Sequence, residues 1–148
     1  MPTVKEVLND TKKRLKEQGI DTYSLDSSLL VSEVTGLTKI QLVTHDRDEV
    51  TEEQINRLEN LVKERLKNKP MQYILGHCEF MGLDFKVTEN TLIPRGDTEN
   101  IVEEVIATIE NSGYNNVLDM CTGTGAIAIS VAHYTKAKVT AYLQRLWK

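Results

Sequence analysis

The residues whose types and spacing best suit chemistry lie in a glycine-containing loop near the C-terminal end of the chain. A short apolar run at 117–118 precedes Asp119, and an alanine- and isoleucine-rich helical pattern extends from the loop to residue 132. The loop itself consists of Cys121, Thr122, Gly123, Thr124 and Gly125. A strand, a glycine loop and a helix in this order form the first half of a nucleotide-cofactor unit. Taken alone, a GxG sequence after a strand is explained equally well by a tight strand-to-helix turn.

The chemistry around this loop restricts the ligand that it suits. No lysine follows the last glycine, so the phosphate-binding GxxxxGK[ST] pattern is absent and nucleotide hydrolysis is disfavoured. An alanine, Ala128, stands where the dinucleotide pattern GxGxxG requires its third glycine. The carboxylate of Asp119 would repel a pyrophosphate, whereas it would accept hydrogen bonds from a cationic amino group or order the loop. These features favour S-adenosylmethionine, a sulfonium with an amino-acid tail and no phosphate.

A second polar segment, LIPRGDTE at 92–99, precedes a predicted helix that ends at Gly113. Asp97 or Thr98 is expected to cap this helix, and acidic residues are favourable in a first turn, which is one complete explanation of the segment. The functional alternative is that rigid Pro94 holds Arg95 towards a cleft. The candidate cleft-lining residues are Arg95, Thr98 and Glu99.

Residues 1–75 are predicted to form an all-helical bundle that precedes these segments. Thr3 with Glu6 and Thr51 with Gln54 have the spacing of capping boxes, which predicts a helix start at each pair. Apolar residues then recur at helical spacing, and the second helix, from residue 24 to 36, is expected to bury Leu25 and the leucines and valine that follow it. Core packing explains these stripes, although a bundle without catalytic side chains also suits a recognition module.

Alternation of apolar and polar residues at 83–87 predicts a strand, and Gly82 marks the turn of a hairpin whose first strand includes 79–81. We expect this hairpin to link two domains. The predicted fold class is therefore a two-part α+β chain: a helical bundle over 1–75, a hairpin linker over 76–94, and the beginning of an α/β domain over 95–148.

Composition restricts the class of protein further. The 148 residues are 40% hydrophobic and 27% charged, with a formal charge of −4, which argues mildly against non-specific nucleic-acid binding. The two cysteines, Cys78 and Cys121, and the three histidines fit no metal-binding spacing. We expect no metal and a reduced, cytoplasmic setting. No apolar run reaches the length of a membrane span, so no membrane association is expected.

Four stretches, taken in order, resemble the HemK/PrmC family, the protein-glutamine methyltransferases that modify peptide-chain release factors. They are PMQYILG at 70–76, EFMGLDFKV at 79–87, LIPRGDTE at 92–99 and VLDMCTGTGAIAISVA at 117–132. The LIPR-x-DTE run is the most specific of the four. The resemblance extends over about the first 142 residues.

The resemblance implies a fold, a cofactor and a reaction. The helical domain would help to dock the release factor, and the hairpin would join it to a class I methyltransferase domain with a Rossmann-like sheet. The reaction implied is methyl transfer from S-adenosylmethionine to the side-chain amide nitrogen of glutamine in the Gly-Gly-Gln motif of the factor. By position, the loop residues 121–125 are implied to bind this cofactor, with Asp119 as the orienting acid beside them.

The chain also departs from the family pattern. The family has glycine at the position of Cys121, which a cysteine can replace if that backbone keeps a negative φ, and proline at the position of Gly96. An acidic ribose ligand is expected where Leu143 stands, and the tail 142–148 does not match. We interpret that tail as an altered reading frame, a truncation or the end of an expressed fragment.

The substrate-binding Asn-Pro-Pro-Tyr motif of the family is absent from the 148 residues, so no catalytic residue is assigned. We therefore expect the chain to bind S-adenosylmethionine weakly or not at all, to lack methyl-transfer activity, and to self-associate through an uncovered sheet. Two alternatives stay open: a non-catalytic helical module that binds a release factor, and a parent enzyme acting on a ribosomal-protein glutamine. A DNA methyltransferase is less favoured, because a basic, aromatic-bearing groove is missing.

Overall fold

The computed structural model of the chain describes residues 1–143, which form a helical N-terminal part followed by short strands and helices. The described chain divides into two compact units, one of Met1–Leu75 and one that begins at Gly76. This is the α+β architecture expected from the sequence. The assignment of a separate linker over 76–94 remains a prediction.

The first unit is built from helices alone, joined by short turns. Its helices are α1 (Val4–Glu17), α2 (Tyr23–Thr35), α3 (Gln41–Thr44), α4 (Glu52–Leu66) and α5 (Met71–Leu75). Both capping boxes form as predicted, because Thr3 and Thr51 each exchange side-chain and backbone hydrogen bonds with the residue three positions later. The short helix α5 is the last element of this unit.

The core of the first unit lies between α1, α2 and α4. Its most deeply buried side chains are Val4, Leu15, Leu30, Val31, Val50 and Val62. The prediction that Leu25 faces this core is wrong, because its side chain is 49% exposed. The next residues on α2, Asp26 and Ser27, are buried instead.

Asp26 is buried because it has charged and polar partners. Its Oδ2 accepts hydrogen bonds from Arg65 Nε at 2.8 Å and from the Thr22 hydroxyl at 2.8 Å. Arg65 also donates to the carbonyl of Lys69 at 3.2 Å, so α2 and α4 are joined to the turn that leads into α5. A buried charge is tolerated only with such compensation, so loss of either partner would be costly.

The second unit contains two small sheets and two longer helices. Its elements are β1 (His77–Phe80), β2 (Leu83–Lys86), α6 (Gly96–Ser112), β3 (Asn116–Met120), α7 (Ala126–Tyr134) and β4 (Lys138–Tyr142). Strands β1 and β2 form the predicted antiparallel hairpin, with Phe80 opposite Leu83. Strands β3 and β4 pair in parallel, with Asp119 opposite Ala141, and α7 connects them.

The predicted cap of α6 is wrong. The helix begins at Gly96 with Arg95 as N-cap, and no side chain bonds to the first turn as a cap. Asp97 and Thr98 are consequently inside the first turn, where the acidic side chain still interacts favourably with the helix dipole. The helix ends as predicted at Gly113, which has a φ of 71°.

One face of the parallel pair is exposed. Leu118 and Met120 on β3 and Tyr142 on β4 all present large side chains to solvent. Met120 and Tyr142 are direct neighbours in the register, so they form a continuous apolar surface. Among residues 1–143, no helix combines the length and apolarity that crossing a bilayer requires.

Candidate functional site

The glycine loop makes an abrupt turn between the end of β3 and the start of α7. Cys121, Gly123 and Gly125 have φ values of 63°, 59° and 81°, so the backbone enters the left-handed region at alternate positions. The negative φ on which toleration of a cysteine at position 121 was made conditional is therefore not present. The tight turn requires a conformation that glycine adopts freely and that a side chain with a Cβ adopts at a cost.

Thr122 is the residue that orders this loop. Its hydroxyl donates to Asp119 Oδ2 at 2.6 Å, and its N–H donates to the carbonyl of Tyr142 at 3.1 Å. Its own carbonyl accepts from the N–H of Gly125 at 2.9 Å. The carboxylate of Asp119 thus takes the second of the two roles predicted for it, the ordering of the loop.

Gly125 is the N-cap of α7 and brings the loop close to that helix. A Cβ at this position would lie 3.1 Å from Ile129 Cδ1, which is tighter than ordinary contact. At Gly123, by contrast, a Cβ would meet no atom within 4 Å, so the loop faces open space there. The first-turn N–H groups of α7 have no acceptor within the helix, as at any helix N-terminus, and are suited to an anionic or polar group.

A cavity of about 230 Å³ joins this loop to the 92–99 segment. It is lined by Phe80, Leu92, Ile93, Pro94, Arg95, Thr98, Cys121, Thr122, Gly123, Thr124, Ala126 and Ile127. The structure thus brings together six of the residues singled out from the sequence: four from the loop, together with Arg95 and Thr98. Asp119, Gly125 and Glu99 do not line the cavity.

The cavity wall combines apolar surface with a single charge. Among the described lining residues, Arg95 is the one with a formally charged side chain. A guanidinium offers several N–H donors in a planar fork that matches a carboxylate. The arrangement therefore suits a ligand with an acidic end and an apolar body.

Glu99 contacts the hairpin and not the cavity. Its Oε1 accepts a hydrogen bond from the N–H of Met81 at 2.6 Å. The three candidate cleft-lining residues, Arg95, Thr98 and Glu99, lie within five residues of one another, but Glu99 is not part of the lining. The side chains of Thr98 and Glu99 separate because consecutive helical positions point in different directions.

Several lining residues were not predicted from the sequence. Phe80 was assigned to a strand of the hairpin, and its alternation with Cys78 gave a signal for burial but none for a cavity wall. Leu92 and Ile93 precede α6, and Ile127 lies in the first turn of α7. Their chemistry is ordinary, so only their position in the folded chain identifies them.

A larger groove of about 470 Å³ lies elsewhere in the second unit, along α6 and β3. Ile101, Val105, Ile109, Tyr114 and Val117 supply its apolar wall. Its polar lining residues are Asn100, Glu104, Thr108 and Asn116, and it contains none of the loop residues, so size alone does not identify it as the chemical site.

The cysteine of the hairpin is not a nucleophile. Burial raises the pKa of the Cys78 thiol above its ordinary value, and nearby Asp84 adds to the effect, so the thiol stays protonated at neutral pH. Within residues 1–143, no group of three or more histidine, cysteine or acidic side chains is arranged to hold a metal ion.

The site defines a class of protein: an α+β chain in which a β–α–β segment places a glycine loop beside a cavity. Comparison with known proteins shows which proteins this chain is similar to. Residues 6–76 match the family model described as the PrmC N-terminal domain, which covers almost all of the first unit.

The curated relatives match nearly the whole chain. A release factor glutamine methyltransferase of Clostridium acetobutylicum is 41% identical over 133 residues, which are 90% of this chain and 47% of the relative. A protein of the same name from Moorella thermoacetica is 36% identical over 140 residues, 94% of this chain and 50% of that relative. A third, from Fusobacterium nucleatum, is 40% identical over 133 residues, 89% of this chain and 38% of the relative.

The resemblance predicted from the sequence is thereby confirmed: the chain is similar to proteins named release factor glutamine methyltransferase over most of its length. The chain spans about half the length, or less, of the curated relatives that it matches.

Proposed function

We propose that the second unit contains the beginning of an S-adenosylmethionine site, in a protein of the release factor glutamine methyltransferase type. The reaction of the whole protein would be methyl transfer to the side-chain amide nitrogen of glutamine in the Gly-Gly-Gln motif of a peptide-chain release factor. The observation that carries the proposal is the cavity shared by the glycine loop and the 92–98 segment. The names of the relatives support the reaction type and the substrate.

The described residues fit part of this cofactor. The cavity of about 230 Å³ is smaller than the roughly 300–1,000 Å³ that is usual for small-molecule sites. It would accommodate the amino-acid end, whose carboxylate matches the Arg95 guanidinium. At the position expected for the acidic ribose ligand stands Leu143, an exposed apolar side chain that accepts no hydrogen bond. Weak binding is the expected consequence.

S-adenosylmethionine supplies an electrophilic methyl group on a sulfonium, and the residues of this chain would bind and orient it. Thr122, held by Asp119 and by the end of β4, fixes the loop backbone against which the cofactor would lie. Phe80 and Ile127 would exclude water from the cavity wall. Catalysis of this type depends on positioning and electrostatics, since the amide nitrogen is a poor nucleophile.

The first unit would dock the release factor. The PrmC N-terminal domain match over residues 6–76 supports this role. No individual side chain of the first unit is assigned to the interface, because the match specifies a domain and not a contact.

Titration of the chain with S-adenosylmethionine, followed by backbone amide NMR, would test the cofactor site. We expect the amides of residues 122–124 to shift, with an affinity weaker than micromolar and no methyl transfer to a release factor. Adenosine is the control ligand, because it lacks the amino-acid end whose carboxylate would pair with Arg95. Absence of shifts at millimolar S-adenosylmethionine, or equal shifts with adenosine, would contradict the proposed cofactor site. Micromolar affinity by calorimetry would contradict the expectation of weak binding.

The second candidate function is a non-catalytic helical module that binds a release factor. It is favoured by the first unit's own buried core and complete capping boxes, which need nothing from the second unit. Binding of a purified release factor by residues 1–75, at the affinity of the whole chain, would support it. Binding that needs the second unit would count against it.

A further inference from the structure

The hairpin turn between β1 and β2 is held from two sides. The N–H of Met81 donates to Glu99 Oε1 at 2.6 Å, and the carbonyl of Met81 accepts from the Tyr134 hydroxyl at 2.6 Å. Glu99 lies in the first turn of α6, and Tyr134 is the last residue of α7. A single residue of the turn is therefore bonded to both helices of the second unit.

This turn needs external support because of its backbone. Met81 and Gly82 have φ values of 52° and 70°, so both central residues of the two-residue loop are in the left-handed region, as in a type I′ turn. Glycine adopts this conformation freely, whereas methionine does so at a cost. A hydrogen bond from a backbone N–H to a carboxylate is short and stronger than a neutral one, so Glu99 is well suited to offset that cost.

A second observation shows that α7 lies close to the turn. A Cβ built on Gly82 would lie 3.5 Å from the Tyr134 hydroxyl oxygen, at ordinary van der Waals distance. The end of α7 thus packs against the turn as well as bonding to it.

Residues of all three bonded elements line the candidate cavity. Phe80, immediately before Met81, is almost fully buried and lines the cavity. Thr98, immediately before Glu99, lines it from α6, and Ile127 lines it from α7. The two bonds at Met81 therefore fix the hairpin wall of the cavity relative to its two helical walls.

We infer that Glu99 and Tyr134 are positioning residues, which hold the Met81 turn so that Phe80 stays in the cavity wall. Glu99 acts through the hairpin and does not contact the ligand. The consequence for S-adenosylmethionine binding rests on the proposed function, whereas the positioning of Phe80 is independent of it.

The test compares Glu99→Ala, Glu99→Gln and Tyr134→Phe with the unmodified chain. Amide hydrogen exchange of Met81 and the ring NMR signals of Phe80 are measured in each. We expect Glu99→Ala to speed exchange at Met81 by about tenfold or more and to shift the Phe80 ring signals, because a charge-assisted hydrogen bond is lost. Glu99→Gln keeps an acceptor oxygen and should restore most of the protection. Tyr134→Phe should shift the Phe80 ring signals with a smaller effect at Met81.

Glu103→Ala is the matched control, since Glu103 is an exposed acid on the same helix. It should leave Met81 and Phe80 unchanged. Unaltered exchange at Met81 in Glu99→Ala, or an equal acceleration in Glu103→Ala, would overturn the inference, as would a Glu99→Gln variant no better than Glu99→Ala.

A second measurement separates this inference from the proposed function. The S-adenosylmethionine-induced shifts at 122–124 should weaken severalfold in Glu99→Ala and return in Glu99→Gln. If the unmodified chain shows no such shifts, the proposed cofactor fails, while exchange at Met81 and the Phe80 signals still decide the positioning role. If the shifts occur and Glu99→Ala leaves them intact, the link between the turn and the cavity fails.

Discussion

The backbone of Cys121 has a conformation that is unfavourable for a cysteine. Its φ of 63° is in the left-handed region, which costs an L-residue with a Cβ roughly 1–2 kcal/mol. The flanking bonds of Thr122 to Asp119 and Tyr142 hold the turn in place against this cost. The strain is therefore stored in the loop proposed to bind the cofactor.

Replacement of Cys121 by glycine should relieve this strain. We expect Cys121→Gly to raise the free energy of unfolding by about 0.5–1 kcal/mol, since the gain in the folded state exceeds the added entropy of the unfolded chain. Chemical denaturation measures the free energy of unfolding of Cys121→Gly and of the unmodified chain. Cys121→Ala, which keeps the Cβ, is measured for comparison. A destabilised glycine variant would show that the cysteine side chain contributes more than its backbone costs.

Arg95 is the charged residue of the cavity wall. Its role can be tested with variants that remove the charge or keep the charge and change the shape of the side chain. Arg95→Ala should weaken the S-adenosylmethionine-induced amide shifts by about tenfold, because a charged hydrogen-bond partner of the ligand carboxylate is lost. Arg95→Lys keeps the charge but not the fork and should have an intermediate effect. Arg47→Ala, in the first unit, is the control. An unchanged affinity in Arg95→Ala would remove Arg95 from the site.

At the scale of elements, an ion pair connects α1 and α4. Arg14 donates to both carboxylate oxygens of Glu59, at 2.5 and 3.0 Å. This hydrogen bonding lowers the pKa of Glu59 below its ordinary value of 4.5. Because the pair is partly exposed, its contribution is expected to be about 0.5–1 kcal/mol.

This shift gives a pH dependence with a definite sign. A carboxylate with a depressed folded pKa stabilises the protein fully above pH 4.5, and the contribution is lost as the pH falls through the folded value. Glu59→Gln should therefore be less stable than the unmodified chain at neutral pH, and the difference should shrink in acid, as the pH falls below 4.5. Urea unfolding followed by helical circular dichroism measures both. Glu17→Gln, whose carboxylate is exposed and 4.0 Å from Lys13, is the control and should show little difference at either pH.

The sequence predicted most helices and strands but not the tertiary contacts between them. Capping boxes, helical periodicity and glycine stops are local signals, and the helices they predicted at Thr3, Thr51 and Gly113 are present. The start of α6 was missed because nothing local separates a capping acid from a first-turn acid. The burial of Asp26 depends on Arg65, which is distant in sequence. The bond from Met81 to Glu99 likewise depends on tertiary packing.

At the scale of the whole molecule, the exposed sheet face predicts self-association. Leu118, Met120 and Tyr142 present adjoining apolar side chains, and burying such surface is favourable by about 25 cal/mol per Å². We expect a concentration-dependent mass above that of one chain in light scattering. The double variant Leu118→Thr and Met120→Thr should reduce it while keeping strand propensity. Thr140→Ser, on the same face, is the control. A single-chain mass at all concentrations would contradict the prediction.

The hydrogen bond from the N–H of Thr122 to the carbonyl of Tyr142 has a thermodynamic consequence. Because of this bond, the ordered conformation of the loop and the pairing of the last described residues of β4 form and break together. By linkage, a ligand that binds only the ordered loop also stabilises that strand pairing, by about 2.7 kcal/mol at a hundredfold excess over its dissociation constant. The melting of β4 would then report occupancy of the loop to which this backbone hydrogen bond joins it.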